Sequence, residues 1–106
     1  MTQLEKDIEK KLVNMVKHRG GLCLKWVCPG WAGVPDRIIL LPGGKVIFVE
    51  LKRPKGGVVS TRQKWWAHKL TLLGFDHCYL YDELGMKYFE LAFCEPARES
   101  KRREYE

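Results

Sequence analysis

No part of the 106-residue chain stays apolar for long. The longest uninterrupted runs, Ile38-Ile39-Leu40-Leu41 and Val46-Ile47-Phe48-Val49, fall far short of the roughly 20 residues that a membrane-crossing helix needs, so no membrane span is expected. The first residues, Met1-Thr2-Gln3-Leu4-Glu5-Lys6-Asp7, are charged and lack the apolar stretch of a secretory signal, which sets the expectation of an intracellular, cytoplasmic protein. Cysteine is sparse and irregular: Cys23, Cys28, Cys78 and Cys94 form no CxxC and no regular framework. His18, His68 and His77 are not at paired-ligand spacing either, which argues against structural zinc and leaves buried free thiols as the expectation. Internal repeats, low-complexity linkers, a phosphate-cradling P-loop and a Gly-x-Ser-x-Gly elbow are all missing, so the chain reads as one domain without the usual nucleotide-binding or serine-hydrolase signals.

Acid is also in short supply. Lys and Arg number 19 against 13 Asp and Glu, a net charge of +6 with a sequence pI near 9.3. The imbalance is local. Between Lys45 and Lys69 stand seven bases (Lys45, Lys52, Arg53, Lys55, Arg62, Lys64, Lys69) and a single acid, Glu50, while the rest of the chain balances. Clustered bases beside Trp65, Trp66 and the Gly56-Gly57 loop suit a polyanion such as nucleic acid, whose phosphates reward such clusters. A solvated basic face is the competing reading. Residues 1–94 are read as the folded domain, and 95–106 as a charged tail of mixed sign with almost no apolar residues.

Periodicity gives the expected elements. Leu4, Ile8, Leu12, Met15 and Val16 recur at helical steps, Thr2 and Glu5 read as a capping box, and a helix is expected over about residues 3–18, closed by Gly20-Gly21. Leu22–Val27 reads as a strand. Asp36–Leu41 and Lys45–Lys52 read as a hairpin around Pro42-Gly43-Gly44, and their near-continuous apolar character suits central strands covered on both faces. Ser60 opens a second helix with Gln63 as its capping partner, ending near Leu73-Gly74. His77–Tyr81 and Met86–Leu91 read as two more strands around Asp82-Glu83-Leu84-Gly85. The order αβββαββ implies an α/β fold, a mixed central sheet flanked by helices. On the second helix one of the adjacent Trp65 and Trp66 should pack on the sheet. The other is left to stack on a base or, the favoured reading, to meet a second protomer.

A hairpin pairs residues equidistant from its turn, so a turn centred on Gly43 sets Asp36 opposite Glu50. Glu50 and Lys52 are two apart and share a sheet face, with Leu51 on the other. Two neighbouring carboxylates resist joint ionisation unless a cation lies between them, and hard oxygen donors suit Mg²⁺ or Mn²⁺. An amine beside them can stabilise a developing phosphate charge. Taken singly, Asp36 reads as a turn residue and Glu50 with Lys52 as a surface ion pair. Together they read as metal-assisted phosphodiester hydrolysis.

These residues also resemble a known family. Gly33-Val34-Pro35-Asp36 followed fourteen positions later by Glu50-Leu51-Lys52 is similar to the PD-(D/E)xK nuclease signature. GVPDR, FVELKRP and Ser60-Thr61-Arg62-Gln63 resemble, more narrowly, the VRR-NUC family in its compact phage and bacterial form, over about three quarters of the chain. The resemblance implies a restriction-endonuclease-like core in which Asp36, Glu50 and the carbonyl of Leu51 hold Mg²⁺ or Mn²⁺, Lys52 is the catalytic lysine and Gln63 belongs to the site. It also implies an acid from the first helix, Glu5 or Glu9. Glu5 has an alternative place in the capping box, and Glu9 in an ion pair along the helix with Lys6. Arg37, Arg53, Lys55, Arg62 and Lys64 are the bases expected to meet DNA. By the same resemblance a homodimer is expected, cutting branched DNA such as Holliday junctions, in a host cytoplasm if the protein is phage-encoded. The alternatives are a nuclease for flap, nicked or linear DNA, a DNA-binding module of nuclease fold without activity, and a scaffold whose basic face meets an acidic partner.

Overall fold

The structure is a computed structural model that describes residues 3–94, with side chains from residue 5. The expected Thr2 cap and the charged tail lie outside the described residues. The elements in chain order are α1 (Gln3–His18), β1 (Leu22–Lys25), β2 (Arg37–Leu41), β3 (Lys45–Leu51), α2 (Thr61–Leu72), β4 (Asp76–Leu80) and α3 (Glu83–Phe93). The four strands form one sheet in the order β1-β2-β3-β4. The first three are antiparallel neighbours and β4 joins β3 in parallel, so the sheet is mixed and β2 and β3 are its central strands, as their apolar runs imply.

Alternation along the strands sorts the two faces. Ile39, Leu41, Ile47, Val49, Leu51 and Leu80 point to one face, where they are covered by Ile8, Leu12 and Val16 of α1 and by Met86 and Phe89 of α3. Burying each such side chain is worth about 1.5–3 kcal/mol. The opposite face carries Phe48, Glu50 and Lys52 and is covered by α2. There Phe48 lies 5.2 Å from the Trp26 ring and 5.5 Å from Phe75, and Trp26 lies 5.3 Å from Trp66 of α2. One helical layer therefore forms the core and the other, α2, roofs a polar site. Among the described residues no helix is long and apolar enough to cross a membrane.

The hairpin register is Arg37↔Val49 through Leu41↔Lys45, closing on a three-residue turn in which Gly43 and Gly44 take φ of 89° and 79°. This left-handed backbone is inexpensive only for glycine. The register is the one read from the sequence.

The last element corrects the expected order. Met86–Leu91 is not a strand but the middle of α3, giving αβββαβα. Asp82-Glu83-Leu84-Gly85 is not a turn between strands but a helix start, in which the Asp82 carboxylate accepts a hydrogen bond from the Gly85 amide at 2.9 Å. The reason is period. Met86 and Phe89, 8% and 3% exposed, must both face the core. Residues three apart lie on opposite faces of a strand but on the same face of a helix. The Arg19 guanidinium, donating to Glu90 at 3.1 Å from Nε, ties α3 to the end of α1, and Lys11 pairs with Glu83 at its start.

Candidate active site

The site sits where β2 begins and β3 ends, under the N-terminus of α2. One step beyond Arg37↔Val49, Asp36 stands across from Glu50. The Leu51 amide donates to Asp36 Oδ2 at 2.8 Å, which fixes that carboxylate against β3. Glu50 is 3% exposed, the only buried charged residue among those described. Its Oε2 accepts from Gln63 Nε2 at 2.5 Å and lies 3.7 Å from the Lys52 ammonium.

Gln63 joins these groups. Its amide oxygen accepts from Lys52 Nζ at 2.7 Å and from the Ser60 backbone amide at 2.9 Å, while Ser60 Oγ accepts from the Gln63 backbone amide at 3.1 Å. The expected capping box is therefore present, and the same side chain also bridges Glu50 and Lys52. Its two polar ends are told apart by their partners, an ammonium on the oxygen and a carboxylate on the nitrogen. Lys52 is held further by the Val58 carbonyl, which accepts from Nζ at 2.8 Å.

Electrostatics leave this cluster short of positive charge. Burial, and next to it the charge of Asp36, push the Glu50 carboxyl up from 4.5 to about 7, against the pull of Lys52. Burial also raises Asp36, opposed by the Leu51 amide and reinforced by the charges of Glu9 and, more weakly, Glu5. Glu50 Oε1 is buried without a hydrogen-bond partner. An orphaned carboxylate oxygen costs about 1–3 kcal/mol or more, since the charge adds to the penalty. A hard cation between Asp36 and Glu50 would satisfy it, and the oxygen donors present fit Mg²⁺ or Mn²⁺. Among the described residues no group of three His, Cys, Asp or Glu stands ready to hold a metal, so such an ion would need backbone or water oxygens to complete its shell.

The other expected site residues are distributed unequally. Leu51 supplies its amide to Asp36 and buries its side chain in the core, 2% exposed. Glu9 reaches across to β2: its Oε2 accepts from Arg37 Nε at 2.8 Å, and both side chains are 14% exposed. Arg37 also donates to the Cys23 carbonyl at 3.1 Å, so its guanidinium is tied to α1 and β1. Arg53, Lys55, Arg62 and Lys64 are exposed around the site on the loop after β3 and the first turns of α2. Lys45 lies at the other end of β3, over the Phe93 ring at 5.4 Å, about 17 Å of strand away from Glu50. The Arg37–Glu9 pair and the Val58 carbonyl carry no sequence signal, since both depend on the chain's path rather than on local spacing.

Gly33 shows why the loop into Asp36 has its composition. Its φ is +80°, and a Cβ there would stand 2.6 Å from Arg62 Cβ and 3.0 Å from the Arg62 backbone carbon. The loop thus lies directly on the α2 turn that carries Gln63, latched also by Trp66 Nε1–H donating to the Ala32 carbonyl at 3.0 Å. Gly33→Ala is expected to cost at least about 1–2 kcal/mol from backbone strain alone. Thermal unfolding checks this, and an unchanged melting temperature would contradict the packing described.

No family model matches the chain. Among curated proteins it is similar to one named "Putative nuclease p44" of Acyrthosiphon pisum secondary endosymbiont phage 1, with 56% identity over 50 residues, 47% of this chain and 54% of that protein. The chain spans about half the length of the curated relative it matches. Among solved structures it is similar to one titled "VRR_NUC domain", with a TM-score of 0.77 and 23% identity, covering 84% of this chain and 97% of that one. The α/β architecture described above is thus the fold of a VRR_NUC domain.

Proposed function

We propose that this protein is a divalent-metal-dependent nuclease of the VRR-NUC branch of the PD-(D/E)xK superfamily, acting on DNA. The observation that carries the reading is the buried, unpartnered Glu50 Oε1 beside Asp36, with Lys52 held against the same carboxyl. The solved fold and the name of the phage relative support it.

Asp36 and Glu50, with the Leu51 carbonyl, are the residues that would hold Mg²⁺ or Mn²⁺, and Glu9 or Glu5 would add charge from α1. Such an ion supplies polarisation of the phosphate and a more acidic bound water. Lys52, pinned by Gln63 and Val58, presents a fixed positive charge where negative charge develops on the phosphate or where a water must be oriented. Gln63 positions both Glu50 and Lys52 and so couples α2 to the site. Arg53, Lys55, Arg62 and Lys64 would hold the DNA backbone, which favours recognition by charge and shape over base reading. A domain of this size has one active site, so symmetric cutting of two strands requires two copies, and a homodimer acting on branched DNA such as a Holliday junction is the substrate reading we adopt.

The test is a gel assay of end-labelled four-way junction, flap, nicked and linear DNA with Mg²⁺, Mn²⁺ or EDTA. Cleavage is expected with either metal, none with EDTA, and paired nicks at the junction. Binding without cleavage of any substrate would overturn the reading in favour of a DNA-binding module.

A further inference from the structure

Beside the site is a recess of about 490 Å³ lined by Trp31, Ala32, Thr61, Arg62, Trp65 and Trp66. Two of its indoles are unusually open for tryptophan: Trp31 is 57% exposed and Trp65 48%. Their rings lie nearly parallel, 19° apart with centroids at 6.3 Å. Trp66 stands behind them edge-on, at 5.6 Å from Trp31 and 5.2 Å from Trp65, and is itself fixed by its bond to the Ala32 carbonyl. The exposed pair is therefore preorganised on a rigid third ring, and a ligand that stacks on it pays little to order it.

Charge decides what the ligand is. On α2, Arg62 stands one turn before Trp65 and Lys69 one turn after it, at the i,i+3 and i,i+4 spacings that share a helix flank, and both are exposed. No acid lies on this helix. A flank of alternating base and indole suits a molecule with flat aromatic faces joined by anions, and a second apolar protein surface would leave both bases without counter-charge. Gln63, in the same turn as Arg62, touches Glu50 and Lys52, so a ligand on the platform lies next to the reacting position.

We infer that Trp31 and Trp65 form a stacking platform for an unpaired nucleobase next to the cleaved bond, with Arg62 receiving the adjoining phosphate. The inference rests on the nuclease reading for its substrate class and narrows it: the preferred DNA has at least one unstacked nucleotide at the site. Stacking on an aromatic side chain is tolerant of sequence, in keeping with recognition by shape.

The test is indole fluorescence in EDTA, titrating an oligothymidine of about 10 nucleotides and a blunt duplex of the same length. The oligomer should quench the wild-type emission. Trp65→Ala should lose about ten-fold or more in affinity for it, with duplex affinity unchanged, and Trp65→Phe should retain most of the binding. Trp31→Ala, whose ring sits in an exposed loop, gives an independent second variant and should behave like Trp65→Ala. Oligomer affinities of both alanine variants within about two-fold of wild type would overturn the inference. So would a fall from dimer to monomer in sedimentation with oligomer binding intact, which would make the patch an interface between copies. If wild type quenches with oligomer but cuts nothing with metal, the nuclease reading fails and the platform stands. If Trp65→Ala binds the oligomer as wild type does and cuts duplex DNA normally, the platform fails and the nuclease stands.

Discussion

Lys52→Ala is expected to lower the rate of phosphodiester cleavage by about 10² to 10³-fold or more, the usual cost of removing one preorganised charge from a transition state. The ammonium has no room to be incidental. It is held at 2.8 Å from the Val58 carbonyl, 2.7 Å from Gln63 Oε1 and 3.7 Å from Glu50 Oε2, with the side chain 12% exposed. The loss should appear in kcat rather than in DNA affinity, because Arg53, Lys55, Arg62 and Lys64 remain. Removing Lys52 also removes a charge that holds the Glu50 carboxyl down, so residual activity should rise towards more alkaline pH. Lys52→Arg should not restore activity, since a planar fork cannot occupy the pocket of a compact ammonium. Single-turnover rates across pH measure both effects, and cleavage at the wild-type rate would remove Lys52 from the mechanism.

Glu50→Gln should make the metal-free protein more stable above neutral pH. The Glu50 carboxyl titrates near 4.5 when unfolded and at about 7 when folded, with burial the first cause and Asp36 the second. A carboxyl raised in this way costs nothing below pH 4.5, where both states are protonated. Between 4.5 and about 7 the unfolded chain releases its proton and the folded one retains it, so stability falls as pH rises. Above about 7 the full cost applies, on the order of 3 kcal/mol for a shift of this size at a residue 3% exposed. Glutamine keeps the oxygen that Gln63 donates to and carries no charge. Denaturant unfolding in EDTA should therefore show the variant more stable than wild type at about pH 8 and equal to it near pH 4. Adding Mn²⁺ should stabilise wild type and narrow the gap at the higher pH. A difference that does not change with pH would contradict burial and the Asp36 charge as the origin of the Glu50 shift.

Much of this site is legible in the chain because it is built on short-range rules. A turn centred on Gly43 dictates which residues face each other, and the same arithmetic that pairs Arg37 with Val49 brings Asp36 to Glu50. Glu50 and Lys52 share a face because strands alternate, and Ser60 with Gln63 marks a helix start whatever surrounds it. What cannot be read depends on the path of the chain in space. Arg37, a base in a basic protein, has the sequence character of an outward-facing residue but is drawn under the sheet by Glu9, a partner 28 residues away. Trp31, in a loop dense in Pro and Gly, carries no sign that it lies over Trp65. The strand expected at Met86–Leu91 is different, because the helical signal is present: Met86, Phe89 and Phe93 step by three and four, and Asp82 is a good helix cap. The Asp-Glu-Leu-Gly segment has turn chemistry as well as cap chemistry, and once it reads as a turn the aromatic residues after it suggest β-structure.

On the nuclease reading, Asp36 and Glu50 together form a divalent-cation site. Calorimetric titration of Mn²⁺ into wild type, Asp36→Asn and Glu50→Gln at about pH 8 tests it without recourse to any substrate. A saturable heat is expected for wild type, weakening as pH falls through about 7, where Glu50 takes up its proton. Each variant should bind at least about ten-fold more weakly, since each removes one of two charged ligands. Isotherms of both variants that overlay wild type would place the ion elsewhere and contradict the account.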